Sequence, residues 1–399
     1  MKVLVVTQYF YPEEFKINDL VEELVQRGLC VTVLTGKPNY PKGSFFPGYH
    51  FWGVNKEVYK GANVIRVPLV RRGQGGAIRL MLNYLSYVLF GRIYVLFHKC
   101  DYDTVFVWGT SPITQAYPGI LASRKSKSKL SLWIQDLWPE SVSSASNIKN
   151  SYVLRMLNRM VVGIYKKCDF LFIQSESFRE SIEKKGPFGE KLIYAPNWAE
   201  DVFVTNKFEG GKYIDLMPAG FKVMFAGNIG DAQDFNKIID AAILTKNEDS
   251  IKWIIVGDGR FRNQAEERVQ REGLSDKVVF LGRYSVNEMP SFFCHADVML
   301  VSLKNEYIFS LTIPSKVQAY MAAGKPIVAM LNGEGSRVIN DSGCGFSVPS
   351  SDAEKLAETV INMSKMSRDT LIHMGIKGRS YYLEHFKKSN VVDTIVRHI

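Results

Sequence analysis

Two patterns alternate along both halves of this chain. Short runs of β-branched and aromatic residues end in polar turns, and each is followed by a segment with apolar residues at helical spacing. The run KVLVVTQYF, for example, precedes INDLVEELVQR, in which apolar residues recur every three or four positions. This alternation predicts parallel sheets that are covered by helices on both faces.

The alternation occurs twice, and 399 residues are too many for a single core. We therefore predict an α/β chain of two doubly wound, Rossmann-like domains that face a cleft. The first domain should span residues 1–195 and the second 221–380, with a polar linker at 196–220. Residues 381–399 should form a C-terminal helix that crosses back to the first domain. Ligands of such sheets bind outside the carboxyl ends of the strands.

The net charge of +10 lies entirely in the first half of the chain. Residues 1–200 contain 26 Lys and Arg against 16 Asp and Glu. Such an excess predicts an anionic partner: a membrane surface, a phosphate-bearing substrate or nucleic acid. Because no nucleic-acid-binding motif is recognisable, we expect no nucleic acid partner.

Several protein classes are excluded by missing motifs. The five cysteines form neither a CxxC pair nor a cluster with histidine, which indicates reduced cysteines and no zinc site. The first strand is not followed by GxGxxG, and GxxxxGK[ST] is absent, which argues against a dehydrogenase and a P-loop kinase. The opening MKVLVV predicts a strand rather than a secretion signal, and no stretch of about 18 uncharged apolar residues is present, so we expect a cytoplasmic protein.

The stretch FSLTIPSKVQAYMAAGKPIVAM, residues 309–330, contains a predicted helix that begins at Pro314. Proline is favoured in the first turn of a helix, and the following amides, of Ser315 and Lys316, have no intrahelical partner. A helix start of this kind binds anions, and Lys316 adds a positive charge. The stretch therefore predicts a phosphate or diphosphate site, the alternative being a plain helix start with an exposed lysine.

Three predicted strands of the second half end in glycine with polar or cationic residues. They are followed by GNIG at 227–230, GDGR at 257–260 and Arg283. Glycine lets the backbone approach a phosphate closely. Together with the helix start, these strand ends predict a site for a nucleotide diphosphate. The predicted contacts are Gly227, Asn228, Gly230, Gly259, Arg260, Arg283, Pro314, Ser315 and Lys316.

One apparent metal motif lies in the wrong place. Asp101-Tyr102-Asp103 is a DxD sequence, but it precedes the predicted strand TVFVW instead of following it. Its carboxylates should therefore lie at the edge of the sheet opposite to the ligand. We predict turn residues here and no metal requirement.

Ten segments together resemble the family 4 retaining glycosyltransferases of GT-B fold, and most nearly the WbuB-like branch of bacterial O-antigen and capsule assembly. The segments are QYFYPE, NDLVEELVQRG, VTVLTGKPNYPKG, QDLWPES, APNW, AGNIGDAQ, VGDG, FLGR, ADVMLV and PSKVQAYMAAGKPIVA. The resemblance implies an NDP-sugar donor, usually UDP-linked, in the second domain. It implies a lipid-diphosphate-linked saccharide as acceptor in the first, and it favours an N-acetylated 6-deoxyhexose such as N-acetylfucosamine as the sugar.

The chain departs from the family pattern at two carboxylates. The Glu-x7-Glu positions of the family fall on Leu311 and Ala319 here. Gln318 and, upstream, Glu306 are the candidate substitutes. The Arg and Lys that the family carries after the first strand of this domain are also missing, which leaves Lys316 and Arg260 as the cations for the diphosphate.

In the first domain, Asp136 directly follows the predicted strand LSLWIQ. The resemblance implies a role near the reacting sugar, either orienting the acceptor hydroxyl or offsetting oxocarbenium charge. The alternative is a carboxylate that caps the next helix. The predicted acceptor contacts are Tyr9, Tyr11, Thr110, Ser111 and Glu140.

Residues 71–99 combine arginines with a dense apolar and aromatic run, and no Asp or Glu occurs between Arg66 and Lys99. This pattern favours a helix that lies in the headgroup layer of an anionic membrane, and hence peripheral attachment to the inner face of the cytoplasmic membrane. The alternative is a buried helix. The predicted membrane contacts are Arg71, Arg72, Arg79 and Arg92.

Two other functions fit the same donor site. A UDP-sugar 2-epimerase of the same fold would need neither an acceptor nor a membrane surface. A non-catalytic module would bind the sugar nucleotide without turnover.

Overall fold

The computed structural model describes residues 1–73, 76–146, 150–205 and 211–399, and the side chains of 145 and 146 are not described. The chain divides into two compact units, Met1–Ala195 with Val392–Ile399 and Pro196–Val391. The division falls where we place the start of the linker. Residues 206–210 of that predicted linker lie outside the described residues.

The strands of the first unit are β1 (Lys2–Val6), β2 (Cys30–Gly36), β3 (Asn55–Tyr59), β4 (Ala62–Val67), β5 (Thr104–Gly109), β6 (Lys129–Ile134), β7 (Phe170–Ile173) and β8 (Leu192–Tyr194). Within the described residues they form one sheet in the order β3-β4-β2-β1-β5-β6-β7-β8, in which only β3 runs antiparallel to its neighbour. Strand order reverses between β1 and β5, so the loops after these two strands flank the expected ligand crevice.

The helices of the first unit cover both faces of its sheet. They are α1 (Lys16–Gln26), α2 (Ala77–Phe97), α3 (Ala116–Ser126), α4 (Glu140–Ser146), α5 (Ser151–Tyr165) and α6 (Ser177–Glu183). In α1 the apolar residues at helical spacing, such as Leu20 and Leu24, are fully buried.

α2 lies within residues 71–99, where the sequence predicts a helix. We expected no stretch suited to crossing a membrane, because Arg79 and Arg92 flank the apolar run. The helix nevertheless spans 21 residues, and by length and composition it could cross a membrane. Only 28% of its most apolar window is buried in the protein. The alternative of a buried helix is therefore wrong.

The strands of the second unit are β9 (Phe221–Ala226), β10 (Ile251–Val256), β11 (Val278–Gly282), β12 (Val298–Ser302), β13 (Ile327–Met330) and β14 (Gly345–Val348). In the part of the chain that is described, they form an all-parallel sheet in the order β11-β10-β9-β12-β13-β14. Alternate residues of β9 enter two separate apolar clusters, with Met224 in one and Phe225 in the other. The sheet is thus buried on both faces, as parallel sheets are.

The helices that follow are α7 (Asp201–Val204), α8 (Phe235–Leu244), α9 (Arg262–Arg271), α10 (Met289–Phe293), α11 (Tyr307–Ser310), α12 (Ser315–Ala322), α13 (Glu334–Ser342), α14 (Ala353–Ser364), α15 (Arg368–His385) and α16 (Lys388–His398). The end of α16 belongs to the first unit, where Asp393 pairs with Arg27 and the ring of His398 packs on Phe170. The part that belongs to the first unit begins at Val392 rather than at 381.

Candidate functional site

A cavity of about 420 Å³ opens at the carboxyl ends of β9, β10 and β11. These three strands are neighbours in the sheet, so the loops that follow them meet at one edge. This is the edge at which the sequence predicts a ligand. The cavity is lined by Gly227, Asn228, Val256, Gly257, Asp258, Gly259, Arg283, Tyr284 and Met289.

The loops after β9 and β10 pack backbone against backbone. A Cβ atom at Gly257 would lie 1.9 Å from the carbonyl oxygen of Gly227, and one at Gly259 would lie 2.3 Å from that of Ile229. The amide of Ile229 also donates to the carbonyl oxygen of Asp258 at 2.9 Å. The sequence predicts a phosphate contact for Gly259, in the segment GDGR at 257–260. The structure shows that Gly257 and Gly259 are required for the two loops to meet.

Lys316, in the first turn of α12, extends back to the start of the loop after β9. A Cβ atom at Gly227 would lie 2.7 Å from Cε of Lys316 and 3.3 Å from its Nζ. The ammonium lies 4.6 Å from the centre of the Phe225 ring. Within the described residues no hydrogen bond or ion pair reaches it. Burial lowers the pKa of Lys316 to about 8.

The start of α12 adds backbone donors beside this lysine. Pro314 precedes the helix in an extended conformation, and the amide of Val317 donates to its carbonyl oxygen at 2.9 Å. The amides of Ser315 and Lys316 come before that bond and have no intrahelical partner. A partly buried ammonium without a counterion is unfavourable, and an anion placed here would pair with it and with the helix amides.

The other predicted donor contacts fall into two groups. Asn228 and Arg283 line the cavity and are exposed to solvent. Gly230 and Arg260 lie in the same two loops but are not among the lining residues, and the amide of Gly230 donates to the side chain of Gln233.

Gln318 does not contact the cavity. Its side chain is buried, and its Nε2 donates to the carbonyl oxygen of Asn197. The expectation that Gln318 substitutes for a donor-binding carboxylate is therefore not supported. Leu311 and Ala319, at the family's two Glu positions, are buried as well.

Glu306 lies in the loop after β12, is half-buried and is not among the lining residues of the cavity. This loop is tied to the loop after β9, because Lys304 pairs with Asp231 at 2.5 Å. Glu306 thus belongs to the correct edge of the sheet without contacting the cavity.

Five lining residues are not among the predicted contacts: Val256, Gly257, Asp258, Tyr284 and Met289. The ring of Tyr284 packs on Phe292, with 4.5 Å between ring centres. Tyr284 directly follows Arg283, so its position just after β11 could have predicted that it lies at the cavity. Together with Met289 it gives the cavity an apolar wall.

In the first unit, Asp136 fixes the turn after β5. The amide of Ser111 donates to Asp136 Oδ2 at 2.7 Å, and Trp138 Nε1 donates to Ser111 Oγ at 3.0 Å. Both oxygens of Thr110 accept from Gln115 Nε2, at 2.6 and 3.2 Å. Asp136 therefore joins the loops after β5 and β6. Its carboxylate accepts from the amide of Ser111 instead of capping α4.

The remaining predicted acceptor contacts differ in whether their side chains are free to contact an acceptor. Tyr9 is buried, its hydroxyl bonds to Arg72 Nη1 at 3.1 Å, and burial raises the pKa of its phenol. Tyr11 is exposed. Glu140 is a correction, because its carboxylate accepts from Ser181 and pairs with the buried ammonium of Lys185. It is a structural residue of the first unit.

A buried carboxylate that was not predicted from the sequence, that of Glu13, connects loops at the carboxyl ends of the strands of the first unit. Glu13 accepts from the amides of Phe10, Asn39 and Tyr40 at 2.7–3.1 Å. Burial nevertheless raises its pKa to about 7. Glu13 thus holds the loop after β1 against the loop after β2.

The DxD carboxylates lie before β5, at the opposite edge from these loops. Asp101 pairs with the ammonium of Lys2 at 2.8 Å, and Asp103 accepts from the amide of Lys2 at 2.6 Å. In the ranges that the structure describes, no group of three His, Cys, Asp or Glu side chains is arranged to hold a metal.

Residues 220–365 match the family model described as "Glycosyl transferases group 1". The probable glycosyltransferase WbjE of Pseudomonas aeruginosa is 30% identical over 250 residues, which cover 60% of this chain and 61% of WbjE. The putative colanic acid biosynthesis glycosyl transferase WcaI of Escherichia coli K12 is 25% identical over 337 residues, or 81% of this chain and 82% of WcaI. The chain thus spans less than two thirds of the length of WbjE.

Solved structures with the same architecture cover nearly the whole chain. Sucrose-phosphate synthase of Thermosynechococcus elongatus has a TM-score of 0.77 at 15% identity, over 99% of this chain and 97% of that one. HepE of Anabaena, solved with UDP and glucose, has a TM-score of 0.68 at 16% identity, over 100% of this chain and 98% of that one. The fold is therefore GT-B, and the sequence relatives support a glycosyltransferase.

Proposed function

We propose that this protein is a retaining, metal-independent glycosyltransferase of the WbuB-like branch. It would move a sugar from an NDP-sugar to a lipid-diphosphate-linked saccharide in O-antigen or capsule assembly. The observation that carries the proposal is Lys316, a partly buried ammonium that has no counterion among the described residues and lies beside the cavity and the first amides of α12.

The donor diphosphate would lie against Lys316 and the amides of Ser315 and Lys316. Its nucleobase would enter the cavity, where Tyr284 and Met289 provide an apolar wall. We favour UDP as the nucleotide, since HepE, which shares the fold, was solved with UDP and with UDP-glucose. The resemblance favours an N-acetylated 6-deoxyhexose such as N-acetylfucosamine as the sugar.

The reaction needs charge stabilisation more than acid–base chemistry. The bond between the anomeric carbon and the leaving diphosphate breaks, and the acceptor oxygen bonds to that carbon on the same face. The acceptor proton passes to the departing phosphate oxygen. Negative charge grows on the diphosphate as the bond breaks, and Lys316 with the helix amides stabilises it.

The acceptor would bind the first unit at the carboxyl ends of β5 and β6. Asp136 lies there, held by the amide of Ser111, with a carboxylate able to orient a hydroxyl or to offset oxocarbenium charge. The name of WcaI assigns that relative to colanic acid biosynthesis, which agrees with a polysaccharide acceptor.

The nucleotide is tested by thermal stabilisation with UDP, GDP and TDP. A ligand that binds only the folded state stabilises by RT ln(1 + [L]/Kd), so about 2.7 kcal/mol is expected at a hundredfold excess over Kd. We expect UDP to raise Tm most and Lys316→Ala to remove most of that shift. Equal stabilisation of the two proteins by UDP would contradict the assignment of Lys316.

Turnover is tested with radiolabelled UDP-sugars, with and without a lipid-diphosphate saccharide. We expect a glycolipid product only when the acceptor is present, and an anomeric configuration by NMR that matches the donor. A new sugar nucleotide formed without acceptor would identify the epimerase instead. Tight UDP binding without turnover on any lipid acceptor would identify a non-catalytic module, and an inverted anomeric centre would refute retention.

A further inference from the structure

The amphipathic pattern of α2 is the reverse of that of a core helix. Its buried residues include the polar Asn83 and Ser86 and the small Gly91. Large aliphatic side chains recur at helical spacing on the face exposed to solvent: Ile78, Leu82, Leu85, Leu89, Ile93 and Leu96. Exposed apolar faces of this size mark contact with a membrane or another protein.

The inward face of α2 is held in place by specific contacts. A Cβ atom at Gly91 would lie 2.8 Å from Cγ of Pro118, so the helix approaches α3 closely there. The hydroxyl of Tyr87 donates to the carbonyl oxygen of Leu34 at 2.9 Å, and Asn83 accepts from Gln8 at 2.7 Å. The aliphatic face therefore cannot rotate inward without breaking buried hydrogen bonds.

The exposed apolar surface continues beyond the helix. The ring of Phe51 lies 5.9 Å from that of Phe90 in α2 and 4.6 Å from that of Trp52. Trp52 is 70% exposed, whereas the other five tryptophans of the chain are 0–9% exposed. Tryptophan is enriched where a membrane meets water. We call the outward face of α2 together with Phe51 and Trp52 the α2 surface.

The charged residues of α2 and of the segment that leads into it are all positive. Arg71, Arg79, Arg92 and Lys99 are exposed, and the sequence has no Asp or Glu between Arg66 and Lys99. Arg92 borders an apolar groove of about 530 Å³ that runs along the helix. Arg72 does not belong to this set, because its guanidinium packs on Tyr40 and bonds to Tyr9.

We propose that the α2 surface docks onto a bilayer containing acidic phospholipids, with α2 lying in the plane of the headgroup layer. The aliphatic side chains would enter the acyl region, Trp52 would lie at the headgroups, and the exposed cations would pair with lipid phosphates. A second copy on the same surface would bring like charges together, which disfavours a dimer. A helix that crosses the bilayer would have to leave its contacts with Pro118 and Leu34. Docking of this kind does not require the transfer reaction.

Flotation with vesicles tests the docking. We expect the full chain to float with vesicles that contain phosphatidylglycerol at low salt, and to be released at high salt. Arg71→Glu/Arg79→Glu/Arg92→Glu should weaken binding more than tenfold, since each cation contributes about fivefold. Unaltered flotation of this variant, or equal binding to neutral phosphatidylcholine vesicles at any salt, would overturn the proposal.

The apolar contribution has a matched control. Leu85 and Leu89 are 52% and 55% exposed and four residues apart on α2, and Ile372 and Ile376 are 48% and 55% exposed with the same spacing on α15. We expect Leu85→Glu/Leu89→Glu to lower vesicle binding at least tenfold and Ile372→Glu/Ile376→Glu to leave it unchanged. Equal loss in both variants, or a switch from dimer to monomer with vesicle binding intact, would refute the α2 surface as the docking site.

Trp52 reports the depth of docking, because it alone among the tryptophans is exposed in the described residues. Vesicles with brominated acyl chains should quench part of the tryptophan fluorescence of the wild type and little of that of Trp52→Phe. Carbonate should release the protein from the vesicles. No quenching, or retention after carbonate extraction, would contradict a helix that lies in the headgroup plane.

Discussion

Lys316 can reach the cavity rim only because Gly227 has no side chain. A Cβ atom at Gly227 would lie 2.7 Å from Cε of Lys316. The backbone of Gly227 also has a positive φ of 136°, which residues with a Cβ rarely adopt. One position thus combines the turn after β9 with room for the ammonium that we assign to the donor diphosphate.

Gly227→Ala should therefore displace Lys316 and weaken the binding of UDP by about tenfold or more, the order expected for a lost charge-assisted contact. Isothermal titration measures the change in Kd. Gly273→Ala is the matched control, because Gly273 also has a positive φ, of 64°, but lies against the flexible end of Lys246. If both variants bind UDP as the wild type does, the contact between Gly227 and Lys316 is not part of the site.

Nucleotide binding should depend on pH through Lys316. Burial lowers its pKa to about 8, so above pH 8 the free protein holds a neutral amine and must take up a proton to pair with a diphosphate. The affinity for UDP should fall by up to about tenfold per pH unit between pH 8 and the pKa of Lys316 in the complex. Titration calorimetry at pH 7–9.5 measures this slope.

Lys316→Arg is the control for that slope, because a guanidinium stays charged throughout this range. The stability of the protein without nucleotide should change with pH in the opposite direction to the affinity for UDP. The unfolded chain binds the lysine proton more tightly than the folded one, so the free energy of unfolding should rise from pH 8 towards 10.5. The same fall in affinity in Lys316→Arg would show that another group titrates.

The strand ends that form the cavity are predictable, because β9, β10 and β11 are continuous apolar runs that stop at glycines. The partners of polar side chains are not. Nothing in the sequence near Glu140 indicates an ion pair. Its carboxylate nevertheless pairs with Lys185, 45 residues away along the chain. The sequence predicts that Gln318 contacts the donor, but its side chain donates to the carbonyl oxygen of Asn197. Such pairings depend on how distant segments meet.

Some elements carry too weak a pattern to predict. The edge strand β3 reads NKEVY, with the exposed Lys56 and Val58 alternating with half-buried residues, so it lacks the apolar run of a central strand. The exposure of Trp52 could not be predicted from the sequence either, because it follows from the position of its segment beside α2. Which face of α2 is buried likewise depends on the residues that pack against Gly91.

Asp136 and Glu140 should respond differently to loss of charge. Asp136→Asn keeps an oxygen for the amide of Ser111, so we expect kcat to fall at least tenfold with Tm nearly unchanged. Glu140→Gln leaves the buried ammonium of Lys185 without its counterion, so Tm should fall while kcat is kept. A pair of steady-state assays and melting curves decides the matter. Wild-type kcat in Asp136→Asn would remove this residue from the reaction.

Transfer should continue in EDTA, because the carboxylates of Asp101 and Asp103 bond to Lys2 and lie before β5. The assay compares initial rates with and without chelator after exhaustive dialysis. Asp101→Asn/Asp103→Asn should likewise keep kcat. A rate that collapses in EDTA and returns with Mn²⁺ or Mg²⁺ would contradict this assignment.

The proposed donor site depends most on Lys316, and the kcat of Lys316→Ala tests the role of this residue most directly. Removing a charge-assisted contact that strengthens in the transition state costs roughly 2–4 kcal/mol, so kcat should fall about a hundredfold or more with Tm preserved. Lys325→Ala is the control, because Lys325 is also a lysine whose pKa burial lowers, but its ammonium donates to the carbonyl oxygens of Cys294 and Ala296. That variant should lose stability and keep its kcat. A folded Lys316→Ala protein with the kcat of the wild type would contradict the central claim.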